Sequence, residues 1–215
     1  MKHAYFLLRA TFLGTLAVML AGCASSPPVR FYTLTPVGNQ EAQRSSPEGA
    51  SHVAVRVMPV EIPDYLDRPQ IMTRDGRNAL KLAEFDRWAG SLSDNIAAVL
   101  AENLGLSLGS DRIFVAPGLG GEKADYSVTM QVIRLDSHPG DQVLLKARWT
   151  VFAGQGRADA ATQVATFSHR LNDSRYETIV SGISQTLEQL SREIALEIIH
   201  LSQGATSNKD PRPHP

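Results

Sequence analysis

Residues 143–151 read VLLKARWTV, and residues 174–198 read SRYETIVSGISQTLEQLSREIALEI. In the first stretch Val143, Leu145, Ala147, Trp149 and Val151 alternate with Lys146, Arg148 and Thr150, the period of two expected of a strand with one buried face. In the second, Tyr176, Val180, Ile183, Leu187, Leu190, Ile194 and Ile198 step by three and four, which places them along one side of a long helix. Ser174 and Glu177 stand three apart at its start, the spacing of a capping box. Each element has one apolar side and must bury it against another.

Working outward, Tyr126, Val128, Met130 and Val132 alternate in a further strand, and Val164–Leu171 reads as a third. Earlier in the chain, Phe31–Thr35 and the alternating Val53, Val55 and Val57 read as strands, with a polar loop over residues 36–51 between them. Pro59 and Pro63 exclude an interior strand just after. Asp75-Gly76 has the composition of a two-residue hairpin turn. That register sets Arg74 opposite Arg77, Met72 opposite Ala79 and Ile71 opposite Leu80, with Arg74, Arg77 and Lys81 on one face and Arg68 able to join them. From Trp88 to Leu104 the spacing turns helical through Leu92, Ile96, Val99 and Leu100, with Gly105 as a stop. The order strands, hairpin, helix, strands, helix is not the alternation of a parallel sheet. It predicts one α+β domain over residues 31–203, a mixed sheet with two amphipathic helices on one face. Residues 204–215 (GATSNKDPRPHP) have the composition of a disordered tail.

The amino terminus is of another kind. Lys2 and Arg9 precede the apolar run ATFLGTLAVMLA, residues 10–21. A dozen residues fall short of the about 20 that a helix needs to cross a membrane, so residues 1–22 read as a secretory signal. Leu20-Ala21-Gly22-Cys23 resembles a bacterial lipobox, in which the cysteine thiol takes a diacylglyceryl group before cleavage. Cys23 is the only cysteine, which leaves a mature domain without internal disulfides or thiolate ligands. Diacylglyceryl and N-acyl groups on Cys23 are the only covalent additions expected, and no cofactor or metal is. Residues 23–30 then form a lipidated tether containing Pro27 and Pro28. Ala24 and Ser25 follow the cysteine with no aspartate, which resembles the route to the inner leaflet of the outer membrane, facing the periplasm.

Charge and motifs narrow the function. Removing Lys2 and Arg9 from 21 basic residues leaves 19 against 22 acidic ones, a net of −3 and no footprint for nucleic acid. His52, His138, His169, His200 and His214 form no H-x-x-x-H or H-E-x-x-H pattern, and no G-x-S-x-G elbow exists. Gly118-Leu119-Gly120-Gly121 lacks the lysine and the spacing of a P-loop. Nothing supplies a nucleophile with its base, so no enzyme is expected.

Residues 59–71 (PVEIPDYLDRPQI) and 86–92 (DRWAGSL) carry a more specific signal. Together with FYTL at residues 31–34 and the closing helix, they resemble the ABC-type transport auxiliary lipoprotein family of the PqiC type. The resemblance implies a periplasmic domain similar in fold to the amino-terminal domain of TolB. It also implies a role beside an inner-membrane transporter component and a protein with mammalian-cell-entry (MCE) domains, in phospholipid movement and outer-membrane integrity. The family's pattern often places an acidic residue and a proline after Arg-Trp-Ala, where this chain has Gly90 and Ser91, so a less well fixed helix start is expected.

Two readings stay open for the residues that could meet a partner. Asp64, Tyr65 and Arg68 lie between prolines, where turn chemistry accounts for the aspartate and interface anchoring would account for Tyr65 and Arg68. Arg74 and Arg77 are either part of a solvated face or a strip facing lipid head groups or an acidic partner surface. Trp88 is expected in the core, and the closing helix on its own sheet, with a homo-oligomer contact as the lesser reading. A lipid carrier with its own pocket is the alternative to a docking subunit.

Overall fold

The computed structural model describes residues 27–38, 53–117, 123–154 and 160–207. Its strands are β1 (Arg30–Tyr32), β2 (Val55–Val57), β3 (Gln70–Asp75), β4 (Ala79–Trp88), β5 (Ile113–Val115), β6 (Tyr126–His138), β7 (Gln142–Ala153) and β8 (Ala160–Arg170). Helix α1 (Leu92–Leu108) follows β4, and α2 (Tyr176–Ser207) follows β8. The class is α+β, as expected.

The alternation in residues 143–151 becomes β7, an interior strand of a five-stranded mixed sheet of order β5-β2-β6-β7-β8. β2 runs parallel to both β5 and β6, while β6, β7 and β8 are antiparallel. Val128, Met130, Val143, Leu145, Ala147, Trp149 and Val151 are all buried on one face. Both helices cover that face, α2 over β7 and β8, α1 over β2 and β5. Every position in the α2 stripe from Val180 to Ile198 is buried. The opposite face is wet and carries polar pairs such as Arg148 with Gln131 (3.0 Å) and Thr150 with Thr162 (2.9 Å).

The expected single sheet is in fact two. β1, β4 and β3 form a second, three-stranded sheet in which β1 is parallel to β4 and β3 antiparallel to it. β4 is longer than the hairpin arm read from sequence, and Trp88, buried as expected, ends this strand instead of opening a helix. β5 was not foreseen, being three half-buried residues with no room for a pattern.

The hairpin register differs from expectation. Asp75 pairs with Ala79, Arg74 with Leu80 and Thr73 with Lys81, leaving Gly76, Arg77 and Asn78 as a three-residue loop. A two-residue turn of the expected type needs positive φ at both central positions, yet among the described residues only glycines have it, Gly76 at 73°. Asp75 therefore stays in the strand. A slip by an odd number of residues changes which side chains share a face, so Arg74 and Lys81 lie on opposite faces and the basic strip does not form.

The helix ends also differ in detail. Ser91 caps α1, its hydroxyl accepting from the Asp94 N–H at 3.3 Å, so the Gly90-Ser91 departure supplies a good N-cap. Gly109, with φ 60°, closes α1, four residues beyond the stop expected at Gly105. At α2 the Asp173 carboxylate accepts from the Arg175 N–H (2.9 Å), and Glu177 turns instead toward Tyr32 (3.3 Å). α2 continues to Ser207, past residue 204 where the tail was expected to begin, and residues 208–215 lie outside the described residues. Among the described residues, no helix is long and apolar enough to cross a membrane.

Candidate functional site

The residues expected to meet a partner are scattered. Cys23 lies outside the described residues. Tyr65 is half-buried, its hydroxyl near the backbone N–H (3.4 Å) and C=O (3.5 Å) of Leu135. Arg68 is exposed on the loop between Leu66 and β3. Arg74 is tied down: its side chain is 15% exposed and its Nε donates to Asp136 Oδ1 at 2.6 Å. Arg134 forms an ion pair with the other oxygen of Asp136, whose side chain is buried. Arg77, in the hairpin loop, is exposed as well.

A more coherent site grows from residues 33–38, the segment after β1. It runs as a strap between the two helices, and polar side chains on the helices satisfy its backbone. Asn95 accepts from the Leu34 N–H (2.6 Å) and donates to the Thr33 hydroxyl (3.0 Å). The Ser184 hydroxyl accepts from the Thr35 N–H (3.2 Å), and Asn103 Oδ1 from the Val37 N–H (3.1 Å). These bonds explain why Asn103 and Ser184 are buried among mostly apolar neighbours. The strap continues the line of β1 instead of extending it as the strand expected through Thr35.

Beside Val37 and Gly38 the two helices line a groove of about 380 Å³, with Asn103, Leu106, Leu196 and Ile199 among its walls. At Gly38 a Cβ would lie 2.2 Å from Leu106 Cδ1, so only glycine lets the strap come this close without moving that leucine. Leu196 is 67% exposed and Ile199 38%, a pair of apolar side chains off the buried stripe of α2. Glu188 and Arg192 form an ion pair at the rim. Asn103 is 2% exposed, and its Nδ2 has no partner among the described residues. Leu196 and Ile199 were visible in the sequence as apolar residues outside the three-and-four stepping, and the sequence reading passed over them.

A polar cluster fastens the other end of the strap. Asp86, buried on β4, accepts from the Tyr32 hydroxyl and from Arg30 Nε, both at 2.8 Å. Burial first, and then the bond to Asp86, push the Tyr32 phenol well above its ordinary value. The bond to Asp86 likewise raises the Arg30 guanidinium. Glu177 stands 3.8 Å from Arg30 and the Tyr176 ring 6.5 Å from that of Tyr32, so the cluster ties β1 to the first turn of α2. No group of three or more His, Cys, Asp or Glu able to hold a metal occurs among the described residues.

The fold has solved counterparts. The crystal structure of an uncharacterized protein superposes with a TM-score of 0.64 at 19% identity, covering 80% of this chain and 99% of its own. A Xanthomonas campestris protein gives 0.64 at 14% identity, with 82% and 99% covered. The PelC dodecamer from Paraburkholderia phytofirmans is more remote, at 0.42 and 12% identity over 74% of this chain and 91% of that one. No curated protein matches the chain. Residues 32–195, from the first strand and strap through the apolar stripe of α2, match the model of the ABC-type transport auxiliary lipoprotein component, and the chain belongs to that family.

Proposed function

We propose that the protein is a non-catalytic lipoprotein subunit of an MCE-type lipid transport system, held by acyl groups on Cys23 in the inner leaflet of the outer membrane and supporting its integrity. The observation that carries this reading is the groove at the end of the strap. It is largely apolar and open, with two exposed aliphatic side chains, the features of a surface that seats a chain segment. Its occupant is an apolar segment of the MCE-domain protein, which would cover Leu196 and Ile199. Family membership supports a partner within a transporter assembly. A carrier function has less support, because Leu196 stands in solvent where a ligand pocket would enclose most of its ligand.

The test is crosslinking capture from cell envelopes with the acylated full-length chain. Wild type is expected to retain the MCE-domain protein, and Leu196→Asp to lose it with an unchanged melting temperature, since the side chain is exposed. Undiminished capture by Leu196→Asp rejects the groove as the docking site.

A further inference from the structure

We infer that the tip of the β3–β4 hairpin is a second membrane contact, seated in the lipid surface that holds Cys23. The inference rests on the acyl anchor proposed above.

Direction comes first. β1 is parallel to β4, with Arg30 beside Asp86 and Tyr32 beside Trp88. The chain enters β1 at Arg30, the end of that strand that faces the start of β4 and the hairpin tip. The other end of the domain points away. Along the strap, Tyr32 meets Glu177, Thr35 meets Ser184, and Val37 shares the groove with Leu196, so α2 runs in the same sense as β1 and its last turns are far from the tether.

Reach comes second. From Cys23 to Arg30 is seven residues, at most about 25 Å of extended chain. From Asp86 back to Ala79 is also seven residues, about 23 Å along a strand, with the Gly76–Asn78 loop beyond. The tether is thus no longer than the hairpin's own projection. With the domain upright, lipid that holds Cys23 meets the tip.

Chemistry agrees. Residues 75–82 are all exposed, including Leu80 at 37% and Leu82 at 46%. Arg77 in the loop and Lys81, between the two leucines on the other face of β4, suit an anionic surface. The arm is braced behind its tip by the Arg74–Asp136 pair, which ties β3 to β6. Such a contact is weak alone, but the tether holds it at an effective concentration of order millimolar, so marginal affinity suffices.

The test uses the acylated chain in vesicles of phosphatidylethanolamine and phosphatidylglycerol. Acylation consumes the Cys23 thiol, so Asn78→Cys and, separately, Gln203→Cys each accept one fluorophore. Lipid spin-labelled at the head group should quench the probe at position 78 several-fold more than the probe at 203. Leu80→Ser combined with Leu82→Ser should remove most of that difference while the circular dichroism spectrum and the intact mass of the acylated chain stay as expected. Equal quenching at both positions in an acylated chain overturns this inference and leaves the anchor standing, as does undiminished quenching in the double serine variant. An intact mass without acyl groups overturns both.

Discussion

The two sheets of this domain are held together by different means. The five-stranded sheet is covered by two helices, and its inner face from Val128 to Trp149 is almost entirely aliphatic and aromatic. The three-stranded sheet adds Ile71, Met72, Ala83 and Trp88 to the same core and is fastened by charge as well: Asp86 holds Arg30 and Tyr32 at one end, and Asp136 holds Arg74 on the hairpin. Apolar burial is non-directional and scales with area, so the first sheet depends on side-chain pattern. Buried ion pairs offset a desolvation cost only with close geometry, so the second depends on individual partners. The difference teaches where tolerance lies. A conservative change in the large sheet leaves its pattern intact, whereas in the small sheet one substitution removes one of the two partners of a buried carboxylate.

The sharpest break of this contrast is Ile183→Asp. Ile183 is 2% exposed beneath the large sheet, and a carboxylate there costs on the order of 4 kcal/mol or more, enough to unfold a marginally stable domain. Thermal melts followed by circular dichroism should show the loss. A folded variant that had only changed its self-association would mean that this helix face meets another copy.

Next comes Arg74→Glu, which leaves Asp136 beside a second carboxylate and should cost about 3 kcal/mol. Arg77→Glu, three residues on in the loop, should stay within about 0.5 kcal/mol of wild type. Equal effects of the two in urea titrations would restore the two-residue turn and its shared basic face.

Gly76→Ala tests the loop itself. Nothing lies within 4 Å of the added Cβ, so the cost is that of holding a φ of 73°, about 1 kcal/mol. A stability gain in the same titration would show that the residue sits at negative φ.

The smallest effect belongs to Asp173, which binds the α2 entrance to the large sheet. Hydrogen bonds from Thr178 first, and then from the Arg175 backbone and side chain, hold its carboxyl below its ordinary value of about 3.9. A depressed folded value stabilises above that pH and is lost as pH falls through the folded one. Asp173→Asn should therefore melt slightly lower than wild type at neutral pH, with the gap closing in acid. A gap that persists unchanged at pH 2 to 3 would assign the effect to something other than this titration.

The sequence by itself determined the α+β class, the buried faces of β6 and β7, the α2 stripe and the family, along with the expectation of an acylated Cys23. These rest on periodicity or on contiguous residues, and burial of an amphipathic surface leaves one face to choose. Tertiary structure decided the rest. Whether Asp75 turns or stays in its strand depends on one φ angle, and with it which arginine is buried against Asp136. The strap is written in Asn95, Asn103 and Ser184, but its hydrogen bonds join residues 61, 66 and 149 positions apart. A lone polar residue in an apolar stripe announces a need for a partner without naming it, because hydrogen bonds are satisfied by position in space, and the folded backbone alone brings these groups within 3.2 Å of one another.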